Sequence, residues 1–310
     1  MATPRFEGQV ALVTGAGRGL GREYARLLAA EGARVVVNDL GGDTRGGREP
    51  TSDPVDEVVA AIRDAGGEAV ADVHDVVDDA GVIVQRALDT WGRLDLVVNN
   101  AGIAGGGPID QIPAATFDRM IDVHYRGSVA VLRAAWPAMR AQGYGRVVNT
   151  SSGSVMGVPF SSAYISAKAA IIGLTRALAL DGRKNDIRVN AVMPIAYTRL
   201  TAQIPDDDFR EFLAARFDPA SIAPFVASLL TAEVPCSGEV FSVGGGIAAR
   251  VLLATVEGYR STKPTIEDYL AHFDEVCDTA SLFVPTDSMA EIAVRARSLG
   301  VDLANPTLGN

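Results

Sequence analysis

Val10-Ala11-Leu12-Val13-Thr14-Gly15-Ala16-Gly17-Arg18-Gly19-Leu20-Gly21 begins as an apolar, β-branched run, turns through glycines and opens a helix near Leu20. Glycines let a backbone turn sharply and approach a pyrophosphate closely, and the free amides and dipole of a helix N-terminus stabilise that anion. The spacing is G-x-x-x-G-x-G through Gly15, Gly19 and Gly21, a departure from the commoner G-x-G-x-x-G fingerprint. Glycine-rich turns also join strands to helices without binding anything. Placement between a strand and a helix is what favours a ligand here. Gly15, Arg18, Gly19, Leu20 and Gly21 are therefore the first candidate cofactor residues.

Eighteen residues past Gly21, Asp39 closes the next apolar run, Val35-Val-Val-Asn-Asp39. A carboxylate there can accept hydrogen bonds from both hydroxyls of an adenosine ribose and would repel a 2′-phosphate. A terminal Asp is also a common turn residue, and Arg18 offers a cation to a 2′-phosphate. Like-charge apposition in a partly desolvated pocket costs more than an exposed arginine returns. The expected cofactor is NAD rather than NADP.

Continuous apolar runs recur at Val10–Val13, Arg34–Asn38, Ala69–Val73, Leu94–Asn99, Arg146–Thr150, Arg188–Val192 and Val240–Val243. Between most of them lie helix-length stretches, at Leu20–Glu31, Val55–Ala65, Ala80–Trp91, Thr116–Gln142 and Ser162–Leu180. Runs without polar alternation suit strands buried on both faces. The expected fold is α/β: a doubly wound (Rossmann) parallel sheet of seven strands with helices on both faces. Gly41–Pro54 (GGDTRGGREPTSDP) reads as an exposed loop insertion to which the sequence assigns no role. After Val243-Gly-Gly-Gly the rhythm stops, so residues 1–249 are expected to form a dinucleotide-binding catalytic domain and 250–310 a mainly helical extension.

Of 310 residues, 48% are apolar, enough for one large core. Formal charge is −10, with Lys and Arg scattered, which disfavours a nucleic-acid surface. Cys236 and Cys277 form no CxxC and join no histidine cluster, so neither zinc nor a disulfide framework is expected, and a reducing cytoplasm fits. The N-terminus has no apolar signal region, and Lys168 and Arg176 interrupt the apolar stretch from Ala163 to Leu180. The expectation is a soluble, cytoplasmic protein with no membrane partner.

The fourth run ends in Asn99-Asn100-Ala101-Gly102, whose amides can pin a neighbouring strand and line the crevice at the sheet's carboxyl edge, making Asn99, Ala101 and Gly102 cofactor candidates. The fifth leads into Ser151-Ser152, and the next helix carries Tyr164-Ile-Ser-Ala-Lys168. Four-residue spacing stacks Tyr164 and Lys168 on one helix face. A lysine ammonium beside a tyrosine favours phenolate, so Tyr164 is the candidate acid/base for taking a hydroxyl proton as hydride leaves carbon. Lys168 can also reach a nicotinamide ribose, and a serine hydroxyl can hold the substrate oxygen. Alone, such a Tyr/Lys pair is more often a solvated face. Its occurrence in order after the glycine loop, Asp39 and the Asn-Asn-Ala-Gly segment changes that reading.

With TGAGRGLG at 14–21, NNAG at 99–102 and YISAK at 164–168, the chain resembles the short-chain dehydrogenase/reductases over about residues 5–250. The family's serine lies thirteen residues before its tyrosine, which selects Ser151, with Ser152 as the fallback. Members usually carry an asparagine ahead of the fifth strand to hold a relay water; here Asp122-Val-His124-Tyr-Arg-Gly127 places His124 there. Pro194-Ile-Ala-Tyr-Thr198 departs from the usual Pro-Gly, leaving Thr198 as the residue expected near the nicotinamide amide or pyrophosphate.

FEGQVALVTGAGRGLGREYA, VVVNDLGGD, DVHYRGS and ALALDGRKNDIRVNAVMP are more closely similar to the (3R)-hydroxyacyl-CoA dehydrogenase unit of the peroxisomal multifunctional enzyme type 2 group. That resemblance implies oxidation of a (3R)-3-hydroxyacyl-CoA by NAD, with Asp75 and Val76 bordering the adenine. It also implies a homodimer through the Thr116–Gln142 and Ser162–Leu180 helices, and an extension from Arg250 acting as lid or dimer element. No hydratase or sterol-carrier domain and no SKL signal follow in this sequence. Two other readings stay open: a dehydrogenase for another bulky alcohol such as a hydroxysteroid, its choice set by residues 197–217, and a catalytically silent NAD-binding module.

Overall fold

The computed structural model describes residues 4–47, 51–204 and 206–301. They divide into two compact units, 1–250 and 251–310. In the first, strands β1 (Val10–Thr14), β2 (Arg34–Asn38), β3 (Glu68–Asp72), β4 (Leu96–Asn99), β5 (Gly145–Thr150), β6 (Ile187–Pro194) and β7 (Val240–Gly244) pair in the order β3-β2-β1-β4-β5-β6-β7. All six of these pairings are parallel. Helices α1 (Gly19–Ala30), α2 (Asp53–Asp64), α3 (Ala80–Trp91), α4 (Ala114–Ile121), α5 (Gly127–Gln142), α6 (Ser162–Asp181), α7 (Asp207–Arg216) and α8 (Ala223–Ser228) connect them.

Alternation of side chains across the pleat splits the core in two. Ala11, Val13, Val35 and Val37 join one buried cluster, while Val10, Leu12 and Val36 join the other. Because both faces are covered, these strands need no polar positions, which is why they read as unbroken apolar runs. Order reverses between β1 and β4, so the carboxyl ends of these two strands flank a crevice.

Among the described residues the sheet has eight strands rather than seven. Gly245 (φ +57°) and Gly246 (φ +79°) form a two-residue turn that brings β8 (Ile247–Val251) back along β7. Positive φ at both central positions is what a tight hairpin turn requires, and only glycine meets it without strain. Ile247–Arg250 are exposed, so this edge strand lacked the burial signature of the others. Arg250 grips Glu239 through two nitrogens at 2.6 and 2.7 Å.

Two expected helices also differ. Thr116–Gln142 is interrupted by a π turn at Asp122–Arg126, and the helix after the loop insertion starts at Asp53, before Val55. Helix α6 is long and apolar enough, by length and composition, to cross a bilayer, notwithstanding Lys168 and Arg176. Ala163, Ala167, Lys168, Ile171, Thr175 and Ala179 are buried on its inner face.

The second unit is not simply helical. An antiparallel pair, β9 (Thr255–Val256) with β10 (Leu282–Phe283), accompanies α9 (Ile266–Ala271), α10 (Phe273–Val276) and α11 (Ser288–Ser298). Thr265 and Asp268 form a reciprocal capping box at the start of α9. Tyr259 stacks on His272 with ring centroids 4.2 Å apart.

Candidate active site

A cavity of about 540 Å³ opens at the carboxyl edge of the sheet, over the β1/β4 reversal. Its floor is the glycine loop. Gly15 (φ +64°) and Gly19 (φ +54°) hold backbone conformations that disfavour a side chain. A Cβ at Gly15 would lie 2.8 Å from Ala101 Cα, and one at Gly21 only 2.2 Å from the Gly15 carbonyl oxygen. Gly15, Arg18, Gly19 and Leu20 line the cavity. Gly21 is not among the lining residues: its absent side chain lets α1 pack against the turn that bears the others.

Asp39 lines the cavity where β2 ends, and its two carboxylate oxygens accept hydrogen bonds from Gly17 N (3.0 Å) and Gly41 N (2.8 Å). The side chain thus stands tethered at the rim of the glycine loop. Arg18 lines the same wall, and its Nη1 is buried without a partner among the described residues. Arg199, which sequence reading did not single out, faces it from the segment after β6. Burial and then the Arg18 charge hold the Arg199 guanidinium below its ordinary value, with Asp39 and Asp43 pulling the other way.

The Asn-Asn-Ala-Gly segment divides its labour. Ala101 and Gly102 line the cavity, but Asn99 turns inward and donates to Asn149 Oδ1 at 3.0 Å. Asn99 is a structural pin, since neighbouring strand residues face opposite sides. Asn100 takes the crevice position, its side-chain amide donating to the carbonyls of Thr14 and Gly15. Asp75, Val76 and Thr198 also line the cavity, and a Cβ at Gly19 would lie 3.6 Å from Thr198 Cγ2.

At the inner end stand Tyr164 and Lys168, one helical turn apart on α6. Lys168 Nζ lies 5.8 Å from the Tyr164 ring centroid and donates to the Thr150 carbonyl at 2.8 Å. Burial pulls the Lys168 pKa down to about 7. Burial raises that of Tyr164, opposed by a hydrogen bond with the Ser152 side chain. The expected acidification of the phenol by Lys168 is therefore not what dominates in the protein itself; desolvation does, and it favours the neutral phenol.

The serine assignment changes as well. Ser151 is 1% exposed and its hydroxyl donates to the Lys168 carbonyl at 2.8 Å, so it is consumed in fixing α6 to β5. Ser152, in extended backbone, presents its side chain to the Tyr164 phenol. Geometry selects Ser152 over Ser151 as the serine working beside the tyrosine.

His124 emerges from the π turn, and such turns recur at functional sites because they re-aim one side chain out of helical register. Its ring stands perpendicular to that of Tyr164, centroids 5.1 Å apart. Nε2 is engaged with the backbone of Ile103, and Nδ1 is buried without a partner among the described residues. Burial first, then the Lys168 charge, holds its pKa well below 6.5, so the imidazole is neutral. Leu200, Ile204, Phe209 and Leu213, from within the 197–217 segment, give the cavity an apolar lining. Among the described residues no cluster of three His, Cys, Asp or Glu side chains is placed to hold a metal, and Cys236 and Cys277 are free thiols.

Residues 9–208 match the family model of the short chain dehydrogenases. The chain belongs to the short-chain dehydrogenase/reductase family. It is thus an oxidoreductase acting on CH–OH groups. A Mycobacterium tuberculosis protein named as a short-chain type dehydrogenase/reductase is 44% identical to it over 279 residues, covering 89% of this chain and 96% of that one. Mouse peroxisomal multifunctional enzyme type 2 is 40% identical over 313 residues, 97% of this chain, which spans only 42% of the mouse protein. Among solved short-chain dehydrogenases, 7 alpha-hydroxysteroid dehydrogenase complexed with NADH and 7-oxo glycochenodeoxycholic acid superposes with a TM-score of 0.71 at 28% identity, covering 79% of this chain and 96% of that one.

Proposed function

We propose that this short-chain dehydrogenase oxidises (3R)-3-hydroxyacyl-CoA thioesters to 3-ketoacyl-CoAs with NAD. The observation that carries the chemistry is the meeting of the Tyr164 phenol, the Ser152 hydroxyl and the buried Lys168 at the inner end of a glycine-floored cavity. Support for the acyl-CoA substrate comes from the mouse multifunctional enzyme, whose similarity runs through 97% of this chain.

The glycine-cleared floor and the tethered Asp39 carboxylate fit a dinucleotide diphosphate and an adenosine ribose, and the carboxylate favours NAD over NADP. When bound, the nicotinamide supplies the hydride acceptor. Ser152 holds the substrate hydroxyl oxygen, and Tyr164, once deprotonated, takes the hydroxyl proton as the carbinol C–H pair departs as hydride. In reverse the neutral phenol, which burial favours, donates that proton to the ketone oxygen. While charged, Lys168 supports the phenolate. Neutral His124 packs edge-on against the tyrosine ring and keeps its orientation. Val76, Asp75 and Thr198 border the cofactor, a second copy of the chain pairs through the Thr116–Gln142 and Ser162–Leu180 helices, and residues 250–310 serve as lid or dimer element in a cytoplasmic enzyme.

NADH formation with (3R)- and (3S)-hydroxyacyl-CoAs, beside hydroxysteroids, tests this reading. Turnover of the (3R) thioesters with NAD, and little of the others, is expected. Preference for a steroid alcohol moves the substrate class while keeping the chemistry. No turnover of any alcohol, with NAD bound, leaves a silent binding module.

A further inference from the structure

Arg119 on α4 lines the cavity beside the residues that follow β3. Its Nη2 donates to Asp75 Oδ2 at 2.9 Å, in a pair whose side chains are only 15% and 10% exposed. The remaining two nitrogens, Nε and Nη1, are buried and have no acceptor among the described residues. Two orphaned charged donors on one guanidinium are costly unless something in the cavity accepts from them.

The surroundings define what that something is. Val76, Ile103 and Val123, all buried, line the cavity around this wall. From the loop insertion Gly46 (φ +85°) lies over the same spot: a Cβ there would come 3.0 Å from Ile103 Cδ1 and 3.5 Å from Arg119 Nε. Apolar walls around an in-plane charged donor suit a flat heteroaromatic ring with an acceptor nitrogen on its edge. A phosphate is disfavoured, because the Arg119 charge is already offset by Asp75 and a second anion would be left unbalanced.

We propose that Arg119 reads the purine base of the bound dinucleotide, Nε donating to a ring acceptor, under a roof formed by the 41–47 segment of the loop insertion. The inference rests on the dinucleotide reading of the cavity and assigns a base-recognition residue to α4.

Calorimetric titration of the full chain with ADP-ribose, and separately with nicotinamide mononucleotide, tests it. Arg119→Met should weaken ADP-ribose by about tenfold, the size of one charged hydrogen bond, and leave the mononucleotide unaffected. In turnover KM for NAD rises while kcat holds. Since the same change strips Asp75 of its partner, Arg119→Lys is the second variant: it keeps a cation beside the carboxylate but has no Nε donor in the guanidinium plane. Wild-type melting temperature with weakened ADP-ribose binding is expected of it. Wild-type ADP-ribose affinity in both variants, or equal losses for both ligands, overturns the inference while the dinucleotide reading stands. A wild-type chain that binds neither NAD nor ADP-ribose overturns both.

Discussion

Ser152, one residue beyond the family-spaced Ser151, is the serine whose side chain hydrogen-bonds the Tyr164 phenol. Ser151 instead donates to the Lys168 carbonyl from a fully buried position. Ser152→Ala should cut kcat/KM by about a hundredfold, the usual loss when one donor to a developing oxyanion is removed. Ser151→Ala should cost about 1 kcal/mol of stability and lower turnover by less than tenfold. Steady-state kinetics and denaturant melts on the two variants check both; a larger kinetic loss at Ser151 reverses the assignment.

Lys168 makes stability depend on alkaline pH. Its folded pKa of about 7 lies below the ordinary 10.5, so between those values the unfolded chain holds a proton that the folded chain has released. Stability of the unliganded protein therefore rises with pH across that window. Lys168→Met removes this slope. The check is the denaturation midpoint of both proteins from about pH 7 to about pH 10.

His124 acts in the same direction on the acid side. Burial depresses its folded pKa well below 6.5, so as pH falls through 6.5 the unfolded chain takes up a proton first and the folded state loses stability. His124→Asn should flatten that limb relative to wild type. If both proteins lose stability equally, the imidazole is not the neutral, desolvated group described.

Gly21 has no place in the cavity lining, yet it allows the glycine loop to exist. With Gly15 O 2.2 Å from where a Cβ would sit, Gly21→Ala must push α1 away from the turn. A loss of about 1–3 kcal/mol, the usual range for overpacking, should accompany weakened NAD binding. Thermal melts with and without NAD measure the two effects together.

Much of this was legible in the chain because the physics is local. Val35–Val37 is unbroken and β-branched because it is covered on both faces, and the glycine loop shows itself by its place between strand and helix. What escaped depended on direction or on exposure. Linear spacing cannot tell which of two adjacent serines faces the tyrosine, nor that Asn99 turns inward while Asn100 turns to the crevice. The π turn under His124 shifts register without changing the apolar pattern of Thr116–Gln142. Gly245-Gly246 ends the apolar rhythm of the sequence yet makes the hairpin to β8, an exposed strand with no apolar run. Arg119 carries no motif at all; only its orphaned nitrogens mark it.

Replacing Tyr164 with phenylalanine tests the catalytic account most directly, because it deletes one oxygen and keeps the ring that packs against His124. With calorimetry first establishing unchanged NAD affinity, alcohol oxidation should fall by at least about a hundredfold, in keeping with loss of a general acid/base. Oxidation at the wild-type rate would mean that the hydroxyl proton leaves by another group.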